Sequence, residues 1–264
     1  MIRVAAVGDI HVDRDLAGRL RASLSRIGDE ADVLLLAGDL TRHGTPDEAR
    51  VVAEEVRGLP VPVVAVLGNH DHHSDAGEDV ARILVDDAGV HVLEGTSVTL
   101  ELPGGRLGVA GVKGFGGGFL GRSGSEFGEP EMKAFARHGR ETADRLGEAL
   151  RSVDAPTVVA LTHYSPVDDT LVGEPQEIWA FLGNYLLAEH IDAAGAALAV
   201  HGHAHAGREK GLTAGGVRVR NVAQPVLRRP YGVYCLAAAD DSGAVGVTDA
   251  AALARAPAAA GPHH

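Results

Sequence analysis

The apolar positions of the chain change period along its length, and the changes mark out its elements. Ile2–Val7, Val33–Ala37 and Val61–Leu67 are short, nearly continuous apolar runs, the pattern of strands covered on both faces. Between the first two, Leu16, Leu20, Leu24 and Ile27 recur at helical spacing. Thr45-Pro46-Asp47-Glu48 then supplies a helix start with Pro at the first helical position. Val80, Ile83 and Leu84 mark a third helix. Strands that alternate with helices in this way predict a parallel sheet.

From Val90 the rhythm differs. Val90–Leu93, Ser97–Leu102 and Leu107–Val112 read as short strands, the last two joined across Pro103-Gly104-Gly105 in a hairpin region. Lys113 to Pro130 is a glycine-rich loop, followed by a long helix over Glu131 to Ser152. Val158–Leu161 leads into His163, and the spacing of Ile178, Phe181, Leu182, Tyr185 and Leu186 predicts one helix. Ala197–Val200 is a further strand, and Val217–Val222 and Tyr231–Ala237 close the pattern. With no internal repeat and no linker, residues 1–239 form a single domain, and the Ala-rich stretch 240–264 is expected to be a mobile tail. His263 and His264, at the end of that stretch, are kept out of the site.

Composition sharpens this. Aromatics make up 4% of the 264 residues, so Val, Leu and Ala must build the core. A net charge of −12 argues against a strong, sequence-blind grip on nucleic acid. It leaves a nucleotide substrate open, because bound cations reverse the sign of the local field. The lone Cys235, in an apolar run, reads as a small buried hydrophobe. Met1–Val7 runs straight into a strand, without the basic and apolar regions of a signal peptide, and no run is long enough for a membrane span. A cytoplasmic enzyme is the expectation.

The candidate chemistry lies in five runs: Gly8-Asp9-Ile10-His11, Gly38-Asp39, Gly68-Asn69-His70-Asp71, Thr162-His163 and Gly202-His203-Ala204-His205. Four of them directly follow apolar, β-rich stretches, where open α/β sheets carry their sites. Asp9 and His11, two apart, share a face in extended chain, and so do His203 and His205. Asp39 offers a carboxylate able to bridge two ions, Asn69 an amide oxygen and His163 an imidazole. Nitrogen and oxygen donors without sulfur suit Mn, Fe, Zn or Ni better than Mg or Ca. The set is too large for one tetrahedral ion and suits two ions sharing Asp39, roughly 3.5–4 Å apart. Each run alone is weak evidence; all five in order are not a chance pattern.

That order, Asp-x-His, Gly-Asp, Gly-Asn-His-Asp, Thr-His, Gly-His-x-His, resembles the calcineurin-like metallophosphoesterase superfamily over about residues 2–222. The resemblance implies an α/β fold: a four-layer α/β/β/α sandwich of two mixed β-sheets flanked by helices, with the metals at one edge. It implies Asp9, His11, Asp39 and His205 on one ion and Asp39, Asn69, His163 and His203 on the other. These would be two divalent or mixed-valence transition-metal ions, Mn or Fe first and Zn or Ni next. His70 is not a ligand in that pattern; it would contact the substrate phosphate and protonate the leaving oxygen, with Asp71 orienting it. Asn69 and Arg42 complete the expected substrate side.

The nucleophile implied is a hydroxide bridging the metals, since coordination lowers the pKa of water from about 15.7 to about 7. The reaction implied is hydrolysis of a small-molecule phosphate ester, possibly a nucleotide, with phosphodiesters preferred because the Gly-Asn-His-Asp run resembles compact bacterial members. A broad phosphomonoesterase is the alternative. A non-catalytic metal-binding scaffold would be expected to lack ligands or His70, and this chain lacks none.

Some positions depart from the pattern or stand beside it. Arg42 stands three residues after Asp39, where purple acid phosphatases carry a metal-bound Tyr, which argues against that subgroup. Tyr164 stands where many relatives have a second His. Arg42 and His43 either meet a substrate phosphate or lie in a solvated loop; His72 and His73 are loop residues or substrate contacts. His201 has no assigned role, and His91, His138 and His190 fall in ordinary surroundings. Gly114-Phe115-Gly116-Gly117-Gly118-Phe119 lacks a P-loop ending. It reads as a flexible lid bringing Phe115, Phe119 or Arg122 to substrate, or as a plain surface excursion.

Overall fold

The computed structural model describes residues 1–237 and 246–249. The first half runs β1 (Ile2–Val7), α1 (Arg19–Ser23), α2 (Ile27–Glu30), β2 (Val33–Ala37), α3 (Pro46–Val56), β3 (Val63–Val66), α4 (Gly77–Ala88), β4 (His91–Val92), β5 (Thr96–Leu102) and β6 (Gly105–Val112). The second runs β7 (Gly118–Phe119), β8 (Arg122–Ser123), α5 (Pro130–Ser152), β9 (Thr157–Thr162), α6 (Trp179–Leu182), α7 (Tyr185–Ala193), β10 (Leu198–His201), β11 (Lys210–Leu212), β12 (Arg218–Asn221), α8 (Gln224–Leu227), β13 (Gly232–Leu236) and β14 (Val247–Asp249).

The strands form two six-stranded mixed sheets, ordered β14-β13-β1-β2-β3-β4 and β11-β12-β10-β9-β6-β5. In the first, β1 to β4 are parallel, β13 runs against them, and the edge strand β14 pairs antiparallel with β13. In the second, β6, β9, β10 and β12 are parallel, with antiparallel β5 and β11 at the edges. Strand alternation sends side chains to opposite faces. Ala6, Leu35 and Val64 therefore meet Val109, Leu161 and Val200 between the sheets. Leu34, Leu36 and Ala65 pack outward on Val52 and Val56 of α3 and Val80 and Leu84 of α4. Ala110, Ala160 and Ala199 pack outward on Leu146 and Leu150 of α5 and Leu187 and Ile191 of α7. The layers are thus helix, sheet, sheet, helix, as expected. Burial on both faces explains why these strands read as unbroken apolar runs.

Local chemistry sets the helix ends and breaks two expected helices. Thr45 Oγ1 accepts the Glu48 amide while the Glu48 carboxylate accepts the Thr45 amide, a reciprocal cap at the start of α3. The stretch holding Leu16, Leu20, Leu24 and Ile27 is not one helix but short pieces, because Gly18 takes φ 84° ahead of α1 and the chain turns again at Leu24. The expected helix around Ile178–Leu186 breaks at Gly183, which is extended, and restarts when the Asn184 side chain accepts the Leu186 amide.

Val247–Asp249 lies inside the stretch expected to be a mobile tail, yet it pairs with β13. Apart from Gly246, the rest of that stretch, with His263 and His264, lies outside the described residues. Cys235 is buried on β13. Among the described residues, no helix is long and apolar enough to cross a membrane.

Candidate metal centre

Five parallel strands, three from one sheet and two from the other, end at the same edge of the sandwich. The loop after β1 carries Asp9 and His11, that after β2 carries Asp39, and that after β3 carries Asn69 and His70. The loops after β9 and β10 bring His163, His203 and His205. Backbone bonds knit these loops together: Asp9 N–H donates to the Gly38 carbonyl, His11 N–H to Asp39 and Gly202 N–H to His163, at 2.9, 3.0 and 3.2 Å. The loops after β2 and β3 approach so closely here that a Cβ at Gly68 would collide with the Asp39 carboxylate. Among the described residues six non-glycines have positive φ, and four are Asp9, His11, Asp39 and His203. Such backbone costs on the order of 1–3 kcal/mol per residue and gathers at functional sites.

The expected donors come together in two groups. Donor atoms of Asp9, His11, Asp39 and His205 lie within 4.8 Å of one another, and those of Asp39, His163 and His203 form a second such group. The Asn69 Oδ1 is 3.0 Å from His163 Nε2, which adds the amide to the second group. Asp39 belongs to both.

The donor set fits cations. Asp9 and Asp39 are 2% and 1% exposed, and buried carboxylates need opposite charge or donors. Three histidines at this edge, the donors His163 and His203 and the neighbouring His70, are oriented by one ring nitrogen each. His163 Nδ1 donates to the Ala37 carbonyl at 2.8 Å, His203 Nε2 to Phe181 at 3.3 Å, and His70 Nδ1 to Arg42 at 2.8 Å. A carbonyl can only accept, so in the neutral ring each bond fixes the tautomer and leaves the other nitrogen with its lone pair.

Electrostatics agree. Burial pushes the Asp39 carboxyl up, but the adjacent His163, 3.3 Å away, and the His70 amide outweigh it and hold it well below the usual range. Burial lowers His163, yet Asp39 attracts its proton more strongly and the imidazole rises above its ordinary value. His203 falls to about 3 through burial and the neighbouring His163, so it is neutral near pH 7. His205 rises through its hydrogen bond to Asp9, 2.8 Å away. An ion between these groups would replace protons that Asp39 and Asp9 otherwise draw to histidine.

His70 sits beside the donors without joining them, its ring 4.5 Å from that of His11 and edge-on to it. Asp71, expected to orient His70, makes no hydrogen bond to that ring among the described contacts; the Arg42 carbonyl orients it instead. The fully buried Asp71 carboxylate accepts from the amides of Leu40, Thr41 and Gly68 and from Thr41 Oγ1, at 3.2, 2.8, 2.8 and 2.6 Å. It therefore joins the loop of Asp39 to that of Asn69. Burial drives this carboxyl upward, against the pull of its donors.

The Arg42 guanidinium pairs with Asp13 at 3.1 Å, and the His43 ring pairs with Glu48 at 2.8 Å. His72 and His73 close a short turn after Asn69. His201, without a role in the sequence reading, is fully buried; its Nδ1 donates to the Gly202 carbonyl and its Nε2 lies 2.9 Å from Thr170 Oγ1. His190 pairs with Asp144 and His91 is exposed on β4.

The glycine-rich segment is tied down rather than loose. Gly117 N–H donates to the Ala180 carbonyl at 2.8 Å and Gly118 N–H to Gly183 at 2.9 Å, and β7 pairs with β8. Phe119 is buried with Leu171, Trp179 and Leu182, and Arg122 lies over Trp179; neither faces the donors. Phe115 does flank the site, packed against Tyr164 and His138. Lys113, Phe135 and Phe181, which stand nearby, carried no sequence signal, because only the fold brings α5 and α6 to this edge.

Comparison with protein families matches residues 2–207 to the calcineurin-like phosphoesterases. No curated protein matches the sequence. Among solved structures, a Thermus thermophilus protein is similar at 15% identity and TM-score 0.54, over 94% of this chain and 98% of its own. A putative 5′-nucleotidase from Staphylococcus aureus is similar at 17% identity and TM-score 0.59; 94% of this chain spans 53% of that one, about half its length. The anchor protein of the Plasmodium inner membrane complex is similar at 10% identity and TM-score 0.55, covering 88% of this chain and 80% of its own.

Proposed function

The chain belongs to the calcineurin-like phosphoesterase family, and from that premise we propose that it is a metal-dependent hydrolase acting on phosphodiesters. One observation carries the reading: two donor groups share Asp39, and His70, its ring already oriented by the Arg42 carbonyl, stands next to them without joining either. A scaffold that only bound metal would have no use for that last group.

Bound cations would supply Lewis acidity, making a nucleophile from water near neutral pH and offsetting charge on the phosphoryl oxygens. The seven donors named from the sequence are the proposed ligands, with Asp39 common to both ions. His70 has the remaining task. An alkoxide leaves poorly without a proton; with Nδ1 donating to the Arg42 carbonyl, the doubly protonated His70 ring delivers one from Nε2 to the leaving oxygen and is left as the neutral Nδ1–H tautomer. The Asp39 Oδ1 accepts the His70 amide at 2.8 Å, so the shared carboxylate and the proton donor are positioned as a unit. Asn69 and His70 contact the phosphate.

The diester preference is supported by the scarcity of cationic side chains. Arg42 is paired with Asp13, and among the described residues Lys113 brings an ammonium close to Tyr164. A singly charged diester suits such a site better than a dianionic monoester. The test is a screen of bis(p-nitrophenyl) phosphate against p-nitrophenyl phosphate, using metal-free protein refilled with Mn, Fe, Zn, Ni or Mg. The diester should have the higher kcat/KM. Faster monoester turnover would overturn the preference, and inactivity with every metal would overturn the hydrolase reading. His70→Ala should lower kcat by roughly 10²–10⁴-fold while metal content stays near that of the parent; loss of metal would refute its role.

A further inference from the structure

We infer that the site takes phosphoesters whose organic part carries a planar aromatic group, held against a wall of Tyr164, Phe115, Phe135 and Phe181; this rests on the phosphoester reading above. The chain has only five Phe and four Tyr in 264 residues. Three of those Phe stand on this wall, and none of the three belongs to a buried core cluster. In a molecule whose core is built from Val, Leu and Ala, that concentration beside the donors calls for a ligand.

The wall is continuous. It starts at the donor His203, whose ring is 4.3 Å from that of Tyr164. Tyr164 lies 6.0 Å from Phe115, Phe115 lies 5.1 Å from Phe135, and Phe135 lies 6.0 Å from Phe181. The far end returns to the site, since the Phe181 carbonyl accepts from His203 Nε2 at 3.3 Å. Tyr164 is buried, Phe115 and Phe135 are half-buried, and Phe181 is 59% exposed. The wall therefore runs from covered to open surface, and exposed apolar surface of this kind marks a place of contact.

The inner end carries charge. The Lys113 ammonium lies 5.3 Å from the Phe115 ring centre and 5.4 Å from that of Tyr164, within cation–π range. It puts a positive group where the wall meets the donors. A ligand with an anionic phosphate at the donors and a flat ring on the wall matches both ends; an aliphatic alcohol matches only the first. A nucleobase is such a ring, and stacking one on aromatic side chains raises affinity about fivefold to a hundredfold.

The test is equilibrium titration of the full chain, metal-free and Mn-loaded, with adenosine 5′-phosphate and with ribose 5-phosphate, which keeps the phosphate and lacks the base. The parent should bind adenosine 5′-phosphate at least about fivefold tighter. Phe181→Ala, at an exposed side chain, should bring that ratio towards one with an unchanged thermal melt, and the volume-conserving Phe115→Leu should lower it too. Equal affinities in the parent, a ratio untouched by Phe181→Ala, or no binding of either ligand would each overturn the inference. Inactivity with every metal would sink the hydrolase reading alone, and equal affinities in an active enzyme would sink the wall alone.

Discussion

Replacing Asp71 with Asn tests what this buried carboxylate does. Its Oδ1 accepts from the Thr41 amide and hydroxyl, and its Oδ2 from the Leu40 and Gly68 amides. An Asn side chain keeps one acceptor and turns the other into a donor. In the less costly orientation the amide group replaces Oδ1: the Thr41 hydroxyl can rotate to accept, but the Thr41 N–H is orphaned. An orphaned buried donor costs about 1–3 kcal/mol, and the remaining bonds lose the extra strength of a charged acceptor, on the order of 1 kcal/mol. The sum is about 3 kcal/mol, or a fall in Tm of roughly 6–9 °C for a chain of this size. Calorimetry on Asp71→Asn, with metal content measured in parallel, should show that fall and weaker metal retention, because the loops of Asp39 and Asn69 lose their tie. A Tm within about 2 °C of the parent, with only kcat reduced, would refute the reasoning and return Asp71 to orienting His70.

Two further outcomes are expected. Gly68→Ala places a methyl group against the Asp39 carboxylate, so elemental analysis should find metal depleted from both positions; full metal content would show that the loop can yield. Asp32 accepts from the Arg3 amide and guanidinium, each at 2.7 Å, and these bonds hold its carboxyl below the usual range despite burial. A depressed folded pKa contributes stability that is complete above the unfolded value of about 3.9 and is lost as pH falls through the folded one. Urea titrations should therefore show Asp32→Asn less stable than the parent at pH 6, with the gap narrowing as pH falls below about 3.9; a gap that stays constant on acidification would assign the effect to packing.

The strands and the donors were legible for one reason: both depend on short-range pattern. Runs such as Val33–Ala37 are apolar throughout because two layers cover them, and the donors follow those runs directly. What tertiary contact decides was not legible. The spacing of Ile178 to Leu186 is helical, but the extended Gly183 and the Asn184 cap divide it. Asp71 follows His70 in sequence, yet the folded chain turns it towards Leu40 and Thr41. Phe119 and Arg122 were as plausible at the site as Phe115 until the segment folded back onto α6. The tail composition hid the pairing of Val247–Asp249, which comes from register with Tyr234–Leu236.

The donors straddle the seam between the two sheets, with Asp9, His11, Asp39 and Asn69 on one side and His163, His203 and His205 on the other. Each ligand set draws on both sheets, three donors and one in the first group and Asp39 and Asn69 with two histidines in the second, so neither set is complete until both sheets have formed and docked. Metal affinity is then a gauge of sheet docking, and each tenfold rise in free ion above its dissociation constant deepens the folded state by about 1.4 kcal/mol per site. Substitutions far from the edge that loosen the packing of Leu35 on Leu161 would register as weaker metal binding before they register as unfolding.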